Sequence, residues 1–83
     1  MPRYTREQVE ASEKVRERVY EVKHRILEII YPNREYICHI IEHFPDWNTS
    51  RGKATIRSTW NGQMSNAEVL KLLEYTLNKL KNK

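Results

Sequence analysis

The chain has 83 residues, of which 39% are hydrophobic and 31% charged, with a formal net charge of +4. That length accommodates one domain, residues 1–83, and excludes large-cleft enzymes and dinucleotide-binding folds. A chain this short buries only about 60–65% of its extended surface, so pairing with a second copy or a partner is a natural source of further stability.

The first predicted element is a long helix over residues 5–31. Thr5-Arg6-Glu7-Gln8 has the form of a capping box, in which the threonine hydroxyl accepts from the backbone three residues on and the glutamine reaches back. Val15, Val19, Val22, Ile26 and Ile29 recur at alternating spacings of 4 and 3, which aligns them in one apolar stripe. Glu10 with Lys14 and Glu21 with Arg25 are spaced for i,i+4 ion pairs on the wet face. Pro32 ends the helix, because it disfavours helical geometry at Tyr31 and lacks an N–H.

Asn33 then caps a second helix, residues 34–44, with Tyr36, Ile37, Ile40, Ile41 and Phe44 turned inward and Pro45 as its stop. Asp46 to Gly52 reads as a polar loop anchored by Trp47. A third helix over 51–61 sends Ala54, Ile56, Thr59 and Trp60 toward the core and Lys53, Arg57, Ser58 and Asn61 away from it. Gly62 is placed as its C-terminal cap. Ser65-Asn66-Ala67-Glu68 reads as a second capping box opening the last helix, 66–80. Its buried stripe is Val69, Leu72 or Leu73, Thr76, Leu77 and Leu80. No strand-type alternation is present, so the expected class is all-α with four helices.

Two glycines and three prolines are too few for the turns of a β-sandwich. The single Cys38 excludes an internal disulfide framework and fits a reducing, cytoplasmic compartment. No 18-residue apolar run occurs, and Met-Pro-Arg-Tyr-Thr-Arg lacks a signal-peptide core, so a soluble chain with no membrane partner is expected.

Charge is unevenly spread. Arg51, Lys53 and Arg57 fall in a stretch where no acidic residue occurs between Asp46 and Glu68. A short helix with one apolar side and an acid-free side of Lys, Arg, Ser, Thr and Asn suits the DNA major groove. Arg and Lys donate to guanine, Asn pairs with adenine, and hydroxyls reach bases or phosphates. A helix about 10–12 Å across also fits a groove about 12 Å wide.

Thr55-Ile56-Arg57-Ser58-Thr59-Trp60-Asn61-Gly62, followed by Ser65 and the helix from Asn66 to Leu80, resembles lactose-repressor and phage-repressor helix-turn-helix domains. Those families show Thr-Val-Ser-Arg-Val-Leu-Asn-Gly there, and the similarity covers residues 53–80. The resemblance implies that the long N-terminal helix is followed by a helix-turn-helix-like three-helix unit. It places Lys53, Ala54 and Ser58 near base edges, Thr55, Arg57 and Asn61 near phosphates, and Ile56 and Trp60 in the core. Arg57 and Ser58 stand in swapped order against the family pattern. Upstream, the family's positioning helix and short Gly turn are replaced by Ile37–Phe44 and the loop Asp46–Gly52. With Arg51, Gln63 and Lys71 flanking on the backbone, the expected function is non-catalytic, sequence-specific binding of double-stranded DNA. A small transcriptional regulator of phage or mobile-element type, without cofactor or metal, fits that description.

The stripe of Val15, Val19, Val22 and Ile26 has two readings. It packs on the other helices as core, or it pairs with a second copy as a short coiled coil and makes a homodimer. A helix of about 27 residues spans about 40 Å, longer than so small a body needs, and Tyr4–Arg18 is the half placed to project. The alternative function is a helical inhibitor, antitoxin or anti-defence protein that grips a protein partner through this helix. An RNA partner is a third reading.

His39-Ile40-Ile41-Glu42-His43 matches the H-x-x-E-H pattern of inverted zinc peptidases. A zinc site there requires Glu68 or Glu74 as third ligand and a far larger body, so two partly exposed histidines on an ordinary helix are expected instead. Cys38 and His39 diverge around their helix and form no catalytic pair; Cys38 is expected to be semi-buried. Trp47 and Trp60 are expected to be core anchors rather than base-stacking platforms.

Overall fold

Helix α1 (Arg6–Ile29) begins with the expected capping box. Thr5 accepts from the Gln8 N–H, and the Gln8 side chain accepts from the Thr5 N–H. The computed structural model describes residues 5–30 and 35–82. Among them it is all-α: α1 is followed by α2 (Glu35–His43), a 3-10 turn (Pro45–Trp47), α3 (Ser50–Trp60) and α4 (Ala67–Lys81). The expectations at Tyr4, Tyr31, Pro32, Asn33 and Arg34 lie outside the described residues. The body measures 44 × 25 × 18 Å.

The periodic stripe of α1 meets that of α4, its main packing partner, except at its last member, Ile29, which is exposed. Val22 and Ile26 are fully buried, and so are Val69 and Leu73 opposite them; Leu72, Leu77 and Leu80 complete the α4 face. Each such side chain contributes about 1.5–3 kcal/mol. Thr76 and Thr59 share this interior because their hydroxyls donate to the Leu72 and Thr55 carbonyls one turn back.

This arrangement corrects the dimer reading. Val19, Val22 and Ile26 are buried within one chain and Val15 is half-buried against the same cluster. A coiled coil needs that stripe free, and α4 already covers it. A second copy, or a protein partner, would have to use another face. The expected ion pairs also change. Arg18 donates to Glu74 across the α1–α4 boundary at 2.9 Å and to Glu21 at 3.0 Å. Glu21 therefore pairs with Arg18 rather than Arg25, and Glu10 and Lys14 form no ion pair among the described residues.

Helix α2 buries Tyr36, Ile37 and Ile40, with Ile41 and Phe44 half-buried beside them. Cys38 is exposed rather than semi-buried, because its position on α2 points away from Ile37 and Ile40. The stretch expected to be a polar loop is more ordered: Pro45–Trp47 forms a 3-10 turn, and Thr49 caps α3 by accepting from the Gly52 N–H at 2.9 Å. Gly52 is buried against that turn.

At the far end of α3, Gly62 takes φ +79°. The Gly62 and Gln63 N–H groups donate to the Thr59 and Ser58 carbonyls, closing a Schellman cap as the glycine predicted. The α4 cap is Asn66, whose side chain accepts from the Glu68 and Val69 N–H groups. Ser65 does not serve in that role; its hydroxyl accepts from Arg16 Nε of α1 at 2.7 Å.

Candidate nucleic-acid interface

Helix α3 is held by its inner face. Ile56 is fully buried, Thr59 and Trp60 nearly so. The Trp60 ring stacks on Tyr36 of α2 with centroids 4.0 Å apart and planes at 9°. Lys23 of α1 lies 5.2 Å from the Trp60 ring and donates to the Trp60 carbonyl at 3.0 Å. A cation at the last turn of α3 is favoured by the helix dipole. Three helices thus converge on one indole and fix the rotation of α3.

With rotation fixed, the outer face follows from 100° per residue. Ser50, Ala54, Arg57 and Asn61 form the outermost row, all exposed, with Arg51 exposed beside them. Lys53 and Ser58 are half-buried at the two edges. Ala54 therefore belongs to the outward row and not to the core side; its neighbours on the wheel are Asn61 and Ser58. Arg51, Lys53 and Arg57 have no acidic partner among the described residues, since the ion pairs there involve Arg18.

Thr55 departs from its expected role. Its hydroxyl donates to the Arg51 carbonyl at 3.0 Å, so its one proton is committed to the helix backbone while a phosphate oxygen requires a donor. Gln63 is exposed just past the Schellman cap. Lys71 is exposed on α4, but it lines a separate hollow with Phe44, Trp47, Glu68 and Tyr75, and the structure does not bring it to the outer row of α3.

Arg16 and Tyr20 of α1 escaped the sequence reading. Together with Lys23 they flank α3's C-terminal turn at Trp60, Asn61 and Gly62. Their spacing along α1 puts them on one edge of the Val/Ile stripe, a signal present in the sequence but silent until the neighbour of that edge is known. The α2 histidines remain apart from any third ligand. His39 is half-buried, His43 sits edge-on to Tyr75 at 5.5 Å, Glu74 is held by Arg18, and Glu68 stands beside Trp47. Among the described residues no three His, Cys, Asp or Glu side chains are grouped to hold a metal, and no helix is long and apolar enough to cross a membrane. Trp60 is a core anchor; Trp47 is half-buried against the core. Comparison with protein-family models, with curated proteins and with solved structures found no match to this chain.

Proposed function

We propose that the chain is a non-catalytic, sequence-specific double-stranded-DNA-binding protein, and that α3 is the element that enters the major groove. The observation that carries this reading is the outer face of α3: Ser50, Arg51, Ala54, Arg57 and Asn61 exposed, with Lys53 and Ser58 at its edges and no acid from Asp46 to Glu68. Eleven residues make a rod of about 16 Å, long enough to reach several base pairs. Ala54 at the centre of the row lets the helix approach bases closely, and Arg57 and Asn61 beside it are donors suited to guanine and adenine. The resemblance of residues 53–80 to repressor helix-turn-helix domains supports the same reading, and with it the role of a small transcriptional regulator of phage or mobile-element type. The protein-partner reading loses its best support, because the α1 stripe it relied on is buried.

Fluorescence anisotropy with random-sequence duplex DNA tests the proposal. Affinity falls steeply between about 50 and about 200 mM salt as counterions released by phosphate contacts are restored. Arg57→Ala weakens binding by about 1–3 kcal/mol. Unchanged affinity of Arg57→Ala at low salt, or binding indifferent to salt, overturns the assignment.

A further inference from the structure

One hollow continues the outer face of α3 onto α1. It measures about 260 Å³ and lies between Arg16, Tyr20 and Lys23 of α1 and Trp60, Asn61 and Gly62 at the end of α3. Asn61 belongs both to this hollow and to the outer row of α3. No acidic residue lines it. Arg16 stands between this hollow and a neighbouring one lined by Glu13 and Ser65, where its Nε donates to Ser65 at 2.7 Å; its guanidinium forms no ion pair among the described residues. Lys23 is fixed by the Trp60 carbonyl, so a second positive charge stands in the hollow. Tyr20 is 63% exposed and adds a phenol at its rim.

We propose that this hollow is a phosphodiester subsite, where the backbone of the duplex entered by α3 crosses α1 and Arg16 neutralises a phosphate. The proposal rests on the DNA reading of α3. Charge complementarity selects the occupant: two cations and no acid line the hollow, which suits an anion, and a forked guanidinium without an ion-pair partner among the described residues matches two phosphate oxygens. A stacked base is disfavoured, because Trp60 is only 7% exposed, with Tyr36 stacked on its ring and Lys23 close to it. Long helix α1 thereby gains a role beyond core packing, as a second contact that fixes the orientation of α3 in the groove.

The test is the salt dependence of duplex binding by Arg16→Gln, which removes the charge yet keeps an amide able to donate to Ser65. The slope of log affinity against log salt falls by about 0.9 for the one lost phosphate, so the loss of affinity between about 50 and about 200 mM salt shrinks roughly 3.5-fold. Arg16→Lys and Ser65→Ala both retain the charge and keep the wild-type slope. If Arg16→Gln keeps the wild-type slope while Arg57→Ala weakens binding as expected, the subsite is wrong and the α3 reading stands. If Ser65→Ala changes the slope as much as Arg16→Gln, the effect belongs to the loop and the subsite is also wrong. A wild-type protein that fails to bind duplex DNA at low salt overturns both.

Discussion

Glycine inside a helix is ordinarily a weakness, and replacing it by alanine at an unstrained position stabilises a protein by about 0.4–1 kcal/mol. Gly52 reverses that sign. A Cβ built there stands 2.5 Å from the Trp47 carbonyl oxygen, 3.1 Å from the Trp47 carbonyl carbon and 3.1 Å from Thr49 Oγ1. The obstacle is backbone, and the same oxygen accepts the Thr49 N–H at 2.8 Å. The 3-10 turn must withdraw from α3, which strains both that bond and the Thr49 cap of α3. Overpacking of this kind costs about 1–3 kcal/mol. Net of the alanine gain, Gly52→Ala destabilises by about 1–2 kcal/mol, a fall in Tm of roughly 5–15 °C for a domain of this size. Thermal unfolding followed by far-UV circular dichroism measures it. A Tm equal to or above the wild-type value refutes the claim that α3 is seated by direct contact with the Pro45–Trp47 turn.

Three further substitutions examine how α3 and α4 are held. Trp60→Ala removes the ring between Tyr36 and Lys23 and costs about 3–5 kcal/mol of stability; chemical denaturation with the same wild-type m-value checks it, and a cost under about 1 kcal/mol contradicts the role of Trp60 as the common anchor. Asn66→Ala loses the α4 cap and about 1 kcal/mol, whereas Ser65→Ala leaves stability within about 0.5 kcal/mol of wild type; the reverse order would restore Ser65 as the cap.

Local signals in the sequence translated well into helix ends. Thr5 with Gln8 and Gly62 at the end of α3 each act through groups within a turn or so of one another, so their meaning does not depend on the rest of the fold. Ser65 and Asn66 show the limit of such signals. Both are good caps, adjacent in sequence, and the choice is made by Arg16, 49 residues away, which takes the Ser65 hydroxyl. Ala54 is similar: a small apolar side chain carries no direction of its own, and the rotation of α3 is set by Tyr36 and Lys23 closing on Trp60.

The α1 stripe carries the same lesson into function. Apolar residues every three or four positions describe a core helix and a coiled-coil seam alike; what separates them is whether the chain holds a second stripe able to cover the first. Val69, Leu72, Leu73, Thr76, Leu77 and Leu80 are that stripe, and α4 lies along α1. Once α1 and α4 satisfy each other, α3 is held from inside by Gly52, Ile56, Thr59 and Trp60, and folding makes no demand on the side chains of Ser50, Ala54, Arg57 or Asn61. Stability would tolerate acids in that row, and a Glu near the helix start would even favour the helix dipole. The first turn of α3 contains none. A face unconstrained by packing, yet free of the charge its own helix would welcome, is better explained by an anionic partner than by the fold.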